Sequence, residues 1–249
     1  MSRTLKLTLA YDGTDFAGWQ VQRGRTPTVQ GELQRVFAQI LRERVAVMGS
    51  GRTDAGVHAK GQVAHAKVRS SIPLAKLHRG LNALLPPEIV VVNMKEAPAG
   101  FHARYDAVAK RYHYHLVNAR VMLPFHRRYA HHVPVPLDAA LMRREARVLK
   151  GRHDFRAFQK GSRPVRDTRR TIFDIGVEAR RDGWITLDVT GDGFLYGMVR
   201  RVAGTLIDIG RGFRPPGTMA KLLRSKDFRL AGPMAPARGL CLVSVRYKR

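Results

Sequence analysis

LKLTLAYDG at residues 5–13 sets the architecture that we expect for this chain. Its leucines alternate with polar or small residues, which is the pattern of a strand with one apolar face, and the Asp-Gly pair ends that strand in a turn. A similar but weaker pattern occurs at residues 185–194, where ITL is followed five residues later by DGF. In each half the order strand, loop, helix, strands follows, which predicts two similar α+β units whose sheets join at a cleft.

The apolar spacing elsewhere supports alternating helices and strands. Helices are predicted at residues 29–43, 74–84, 137–150, 195–206 and around 219–223. Strands are predicted at residues 4–11, 45–48, 62–68, 89–95, 110–117, 171–178, 184–190 and 240–247, with Asp182-Gly183 closing a hairpin. The segment Pro134-Val135-Pro136 marks a boundary, so the predicted domains are residues 1–133 and 134–249.

The charge of the chain points to a polyanionic partner. Its 249 residues carry 45 Lys and Arg against 19 Asp and Glu, a formal net charge of +26. This charge is spread from end to end and is not confined to a tail. A folded body this basic attracts phosphates by Coulomb forces and counterion release, so nucleic acid is the expected partner.

Cysteine and hydropathy patterns narrow the class further. Cys241 is the single cysteine, so neither a disulfide framework nor a cysteine-based zinc site is available, and a reducing cytoplasm is the expected location. The scattered histidines match no metal-binding spacing, so no metal is expected. The aliphatic run at residues 89–92 is too short to span a bilayer, and no signal peptide precedes the first strand.

GRTDAGVHAK at residues 51–60 holds the main candidate for chemistry, Asp54. One interpretation is an ordinary turn aspartate bonded to nearby amides. The other is a reactive carboxylate, kept ionised by Arg52 and placed on a loop whose glycines allow close approach of a ligand. The composition of the loop does not decide between them.

Four further segments combine cations with aromatic or apolar residues. RYHYH at residues 111–115 would place Tyr112 and Tyr114 on one strand face and its basic residues on the other, an arrangement suited to unstacked RNA bases. FHARY, residues 101–105, and the loop at residues 160–170 are cationic candidates for phosphate contact. In residues 191–201, Arg200 or Arg201 could reach a carboxylate or a phosphate, although a solvated helix face is the alternative for one of them.

Together these motifs resemble the tRNA pseudouridine synthase A family, and the resemblance covers almost the whole chain. The matching stretches are YDGT at 11–14, GWQ at 18–20, TVQ at 28–30, GRTDAGVHA at 51–59, FHAR at 101–104, KRY at 110–112, HDF at 153–155, FL at 194–195, MVR at 198–200 and APARGL at 235–240. The resemblance implies two ferredoxin-like (RRM-like) halves, joined into one continuous, mainly antiparallel sheet with helices on one side and a central cleft. It also implies a homodimer.

The same resemblance implies a cofactor-free isomerisation of uridine to pseudouridine at positions 38, 39 and 40 of the tRNA anticodon arm. Asp54 would be the catalytic residue. The residues implied in substrate binding are Tyr112, Arg52, Arg200 and Leu240, with Arg200 pairing with Asp54. The residues implied in RNA binding are Phe101, His102, Ala103, Arg104, Tyr105, Ser162, Arg163, Arg166 and Arg169.

Three routes are open to one carboxylate in this reaction: addition to C6 of uracil, attack on C1′, or removal of a proton near C1′. The sequence does not choose among them. A non-catalytic RNA-binding protein is the main rival hypothesis, since it would need the same cations and aromatics. An acid–base ribonuclease is the third, but His58 is the only nearby partner for Asp54 and is better explained as structural.

Overall fold

The computed structural model describes residues 2–161 and 167–248. Over these residues the protein is mixed α+β, with a large and mostly antiparallel sheet and five α-helices, so the predicted fold class is confirmed. The strands are β1 (Arg3–Tyr11), β2 (Val47–Gly49), β3 (His58–Val68), β4 (Ile89–Ala97), β5 (Ala107–Val117), β6 (His131–His132), β7 (Gly151–Asp154), β8 (Arg169–Ala179), β9 (Trp184–Gly191) and β10 (Leu240–Tyr247). The helices are α1 (Val29–Leu41), α2 (Leu74–Leu84), α3 (Ala139–Arg147), α4 (Met198–Gly210) and α5 (Thr218–Ser225).

Two compact units divide the chain, residues 1–108 with 242–249, and residues 109–241. In the first unit the strands lie in the order β4-β1-β3-β10, and β2 pairs with the C-terminal half of β3. The predicted alternation of β1 is confirmed, because its three leucines are fully buried while Lys6 and Thr8 point to the opposite, more open face. The core of this unit is completed by apolar residues of α1 and α2, among them Leu33 and Leu77.

Helix α1 begins where its sequence predicts. The hydroxyl of Thr28 accepts a hydrogen bond from the Gly31 N–H at 3.1 Å, which satisfies one of the free donors of the first turn. The helix ends at Leu41, and the left-handed backbone of the next residue, Arg42 (φ 56°), caps its last turn. This helix therefore returns the chain to β2 and to the loop that carries Asp54.

In the second unit the order is β5-β9-β8-β7, and the short β6 pairs with β5 in parallel. The predicted hairpin is present as β8 and β9, with Gly183 at φ +81° in its turn. The buried carboxylate of Glu145 accepts the N–H groups of Gly217 and Met219 at 2.7 and 3.1 Å, and so holds the first turn of α5 against α3.

The structure differs from the sequence prediction mainly at element ends. Strand β3 begins at His58, four residues before the predicted start, because its first residues pair with the end of β1. Strands β6 and β7 were not predicted, since both are too short to show a period. The division of the chain into domains at residues 133 and 134 stays a prediction.

Within the described ranges, no helix combines the length and the apolar character needed to cross a membrane. The described side chains also contain no group of three or more His, Cys, Asp or Glu residues placed to hold a metal ion.

Candidate active site

Asp54 lies on the loop between β2 and β3, and the segment at residues 13–19 holds the main chain of that loop. The N–H of Trp19 donates to the carbonyl of Thr53 at 3.1 Å, and the N–H of Gly56 donates to the carbonyl of Phe16 at 3.4 Å. These hydrogen bonds lie on either side of Asp54. The loop is therefore held by backbone contacts from a second segment and not only by its own turn.

Two glycines make this close approach possible. A Cβ atom on Gly18, whose φ is +93°, would lie 2.6 Å from the carbonyl oxygen of Thr53 and 2.9 Å from the carbonyl carbon of Asp54. A Cβ atom on Gly13 would lie 2.0 Å from the carbonyl oxygen of Val57. All three distances are too short for real atoms, so the two segments fit together only because these positions lack side chains.

Side chains beneath the loop add a buried polar network. The hydroxyls of Tyr11 and Thr53 lie 2.9 Å apart, and the amide nitrogen of Gln62 donates to the carbonyl of Gly51 at 3.0 Å. The hydroxyl of Ser50 donates to the other end of the Gln62 amide at 2.7 Å. Because Ser50 and Gln62 have no exposed surface, these bonds are protected from competition with water.

His58 ties the end of the loop to the turn after β1. Its Nδ1 lies 3.1 Å from the Gly13 nitrogen and 3.1 Å from a carboxylate oxygen of Asp12. That carboxylate also accepts the N–H and the hydroxyl of Thr14, so it is occupied by the turn. This arrangement supports the structural interpretation of His58 over a catalytic one.

The Asp54 side chain is half-buried at the tip of this loop. The N–H of Val57 donates to the Asp54 carbonyl at 3.1 Å and closes a tight turn, for which Gly56 supplies φ +75°. Arg52, on the same loop, and Ala55, next to Asp54, are exposed. The loop thus places the Asp54 carboxylate between the part of the loop that is held by hydrogen bonds and the solvent. A substrate can reach the carboxylate from the solvent side.

Tyr112 lies in β5, and the predicted separation of faces in RYHYH is confirmed. Tyr112 and Tyr114 are buried, whereas Arg111 is exposed on the opposite face. The Tyr112 ring meets the Phe194 ring edge-on, with 5.1 Å between their centroids. This contact restricts the orientation of the Tyr112 ring.

Arg111 is paired within the protein. Its Nε donates to both carboxylate oxygens of Asp188 at 2.9 and 3.1 Å, across the β5–β9 pair. Hydrogen bonds to Asp188, and then its charge, raise the pKa of Arg111 above its ordinary value. The charge of this arginine is therefore already balanced, and Arg111 is a weaker candidate for phosphate contact than its sequence context indicates.

Arg200 lies in the first turn of α4. Its Nε donates to the carbonyl of Ala235 at 2.8 Å, and the Ala235 N–H donates back to the carbonyl of Arg200 at 3.0 Å. The segment around Ala235 is held tightly here, since a Cβ atom on Gly204 would lie 1.8 Å from the carbonyl oxygen of Pro233. Leu240 follows as the buried first residue of β10. The pairing of Arg200 with Asp54 stays a prediction.

The predicted RNA-contact segment at residues 101–105 is anchored at its centre and exposed at its end. The buried Ala103 donates its N–H to Nδ1 of His65 at 3.1 Å, and its carbonyl accepts the hydroxyl of Tyr247 at 2.7 Å. His102 stacks on Tyr105 with 4.2 Å between ring centroids, and the Tyr105 side chain is 76% exposed. An exposed ring held by a stack is suited to contact with an unpaired base.

The His65 anchor gives this segment a predicted dependence on pH. Burial, followed by the charges of His102 and Lys67, lowers the pKa of His65, so the folded protein takes up a proton less readily than the unfolded chain. Its contribution to stability is complete above about pH 6.5 and is lost as the pH falls below that value. We expect the melting temperature of His65→Asn, which keeps an acceptor for Ala103, to fall less between pH 7.5 and 5.5 than that of the parent.

His153→Asn is the control, because His153 lies on β7, away from the segment at residues 101–105, and its Nε2 lies 2.9 Å from the carbonyl oxygen of Lys150. Its melting curve should shift by a similar amount at both pH values. Parallel pH dependences for the parent and His65→Asn would show that His65 does not control this stability.

The remaining predicted RNA contacts divide between described and undescribed residues. Arg169 is exposed at the start of β8, where its Nε lies 3.3 Å from a carboxylate oxygen of Asp167. Ser162, Arg163 and Arg166 lie outside the described residues.

Sequence reasoning did not single out Gln62 or the pairing of Tyr11 with Thr53. The sequence held a signal for Gln62, because a glutamine among the small and apolar residues at 61–64 is expected to make specific hydrogen bonds. The Tyr11–Thr53 contact has no such signal, since it joins residues 42 positions apart.

The family model and the relatives similar in sequence agree on one family. The family described as tRNA pseudouridine synthase matches residues 8–106 and 146–248. The tRNA pseudouridine synthase A of Brevibacillus brevis is 44% identical over 246 residues, 98% of this chain and 100% of that protein. The protein of the same name from Moorella thermoacetica is 45% identical over 244 residues, 98% of this chain and 99% of its own length. A chain in the crystal structure of a Cbf5-Nop10-Gar1 complex is similar at 12% identity and a TM-score of 0.38, over 96% of this chain and 58% of that one.

Proposed function

Since this chain belongs to the tRNA pseudouridine synthase family, we propose that it converts uridine to pseudouridine at positions 38, 39 and 40 of the anticodon arm of tRNA. Asp54 is the proposed catalytic carboxylate. The observation that carries the proposal is the backbone clamp on the Asp54 loop, in which residues 13–19 hold both sides of a half-buried acid. A carboxylate held this way is pre-organised for a reaction at a fixed position.

The chemistry requires one such acid. The bond between N1 and C1′ breaks and a bond between C5 and C1′ forms, while C5 loses a proton and N1 gains one, so the atoms balance without an external reactant. We propose that the reaction needs no cofactor. Asp54 acts as a nucleophile at C6 or C1′, or as a base near C1′, and each route divides a difficult step into easier ones.

The other proposed site residues bind and orient the target. Arg52 and Arg200 are the proposed cations that hold the carboxylate anionic and keep the target nucleotide outside its helix. Tyr112, whose ring is fixed by Phe194, and Leu240 are the proposed apolar walls against which the detached uracil turns. Removing the base from its stack costs a few kcal/mol, and binding of the RNA backbone by a protein of charge +26 can offset that cost.

We further propose a cytoplasmic homodimer with tRNA as its partner. Family membership supports the tRNA partner, since the relatives carry tRNA in their names. The single cysteine supports a reducing compartment, because Cys241 is buried and no second cysteine is present to pair with it. The dimer follows from the family resemblance.

The test is a position-resolved assay. The purified protein is incubated with tRNA transcripts that carry uridine at only one of positions 38, 39 and 40, and pseudouridine is mapped along each transcript. We expect conversion at the single uridine in each case, without added cofactor, and none in a matched transcript with cytidine at all three positions. Tight binding with no conversion in any transcript would favour the non-catalytic RNA-binding hypothesis.

A further inference from the structure

The open face of the sheet in the first unit carries an unusual pair of like charges. Lys6 of β1 and Lys95 of β4 are directly opposite each other in the antiparallel register. Like charges in such a position destabilise a sheet, so this pair costs stability unless an anion lies between them. Among the described residues, the ion pairs of the molecule include neither lysine.

These two lysines line a cavity of about 350 Å³, which we call the lysine groove. Its lining residues are Lys6, Thr8, Lys60, Gly61, Val63, Asn93, Lys95, Val243, Ser244 and Val245. The set contains three cations and three neutral side chains that can donate hydrogen bonds, and it contains no carboxylate. A cavity of this size has room for many waters, each of which occupies about 30 Å³ in the liquid, and so for an oxyanion.

Lys6 is held in place within the groove. Its Nζ lies 3.7 Å from the centroid of the Tyr247 ring and 4.9 Å from that of Phe101. Burial, followed by the charge of Lys95, lowers the pKa of Lys6. The Lys6 ammonium group is thus partly removed from water and faces a second cation. An anionic ligand would reduce the repulsion between the two ammonium groups.

The position of the groove indicates the source of that anion. Lys6 contacts the ring of Phe101, which begins the segment at residues 101–105 that ends in the exposed ring of Tyr105. An RNA strand presents both phosphates and unpaired bases, the two kinds of group that the groove and this ring suit. Gly61 also brings β10 close to β3, because a Cβ atom there would lie 2.4 Å from the carbonyl oxygen of Val243. Glycine at this position therefore lets β3 and β10 approach closely where they line the groove.

We propose that the lysine groove binds a phosphate of the sugar–phosphate backbone of the substrate tRNA. The proposal rests on the proposed function, because it takes tRNA as the partner. Lys60 and Lys95 supply charge, and Lys6 supplies a cation held against the rings of Tyr247 and Phe101. Thr8, Asn93 and Ser244 supply neutral donors. The cost of the Lys6–Lys95 repulsion in the free protein is recovered when the phosphate binds.

The experiment compares a groove variant, Lys60→Gln with Lys95→Gln, and a control of equal charge, Lys76→Gln with Lys221→Gln. The control lysines are exposed on α2 and α5. Affinity for a tRNA transcript is measured over a range of salt concentrations. We expect the groove variant to bind roughly tenfold more weakly than the control at low salt, with a salt slope shallower by about 1. Affinities and slopes equal to those of the control would overturn the proposal.

A second experiment tests whether the phosphate that binds in the groove belongs to tRNA or is free inorganic phosphate. Inorganic phosphate is titrated into the parent protein with bound tRNA, with chloride at equal ionic strength as reference. We expect phosphate to displace tRNA more strongly than chloride from the parent and no more strongly than chloride from the groove variant. If the groove variant loses binding of inorganic phosphate but keeps the tRNA affinity of the control, the groove is a site for free phosphate and the proposal fails.

Neither arm depends on turnover, so failure of the groove and failure of the proposed function are distinguishable. If the groove proposal fails, the position-resolved conversion by the parent protein still tests the proposed function separately. Lys95→Gln alone adds a further check on the free protein, since it removes the like-charge pair. We expect its melting temperature to rise by about 1–3 °C, and a fall would contradict the repulsion on which the proposal rests.

Discussion

An Asp54→Asn variant is expected to lose pseudouridine formation by on the order of 10⁴-fold or more, while its affinity for tRNA stays within about threefold of that of the parent. Asparagine keeps the shape of the side chain and removes the charge that makes it a nucleophile or a base. The loop itself should keep its position, because the hydrogen bonds that hold it use the carbonyls of Thr53 and Asp54 and the N–H of Gly56. The loss therefore reports on chemistry and not on folding.

The measurement is the single-turnover rate with enzyme in excess, together with tRNA affinity and melting temperature. Asp174→Asn is the control of equal charge, since Asp174 is exposed on β8 and one of its carboxylate oxygens lies 3.5 Å from Nζ of Lys150. It should leave the rate unchanged. Retention of a tenth or more of the parent rate by Asp54→Asn would remove Asp54 from the catalytic role.

Regular secondary structure was predictable where a period extends over several turns or a whole strand. The buried leucines of β1 and the Asp182-Gly183 turn each have a local signal, and the structure confirms both. These features depend on neighbours within a few residues, which is the range that a sequence pattern reports. The GRTDAGVHA stretch was likewise visible, because its glycines and charges lie together.

Features that depend on pairing between distant segments were not predictable. Arg111 reads as a free cation in RYHYH, yet strand register places Asp188 beside it. Lys6 and Lys95 each read as ordinary strand lysines, and only the register of β1 with β4 makes them opposite. A pattern in one segment carries no information on which residue of the neighbouring strand will lie opposite it. The Arg111–Asp188 ion pair and the opposed pair of Lys6 and Lys95 therefore become visible only in the fold.

The contact of residues 13–19 with the Asp54 loop has the same origin, and it gives the second prediction of large effect. Gly18→Ala is expected to lower the single-turnover rate about 100-fold, because displacement of a catalytic group by about 1 Å has a cost of this size. The new Cβ atom would meet main-chain atoms of Thr53, Asp54 and Ala55 at 2.6, 2.9 and 3.0 Å. A main chain cannot turn aside as a flexible side chain can, so the loop itself has to shift and carry Asp54 with it.

Gly24→Ala is the matched control for backbone strain. Gly24 also has a positive φ, +138°, but a Cβ atom there would meet nothing within 4 Å. An alanine with a positive φ costs about 1–2 kcal/mol in folding free energy, and both variants have that cost. Both should therefore melt at a lower temperature than the parent. Only Gly18→Ala should lose rate when the two are compared well below their melting temperatures, with tRNA affinity retained in both. Equal rates for the two variants would show that the clamp stabilises the fold without positioning Asp54, and the physical basis for a pre-organised carboxylate would be gone.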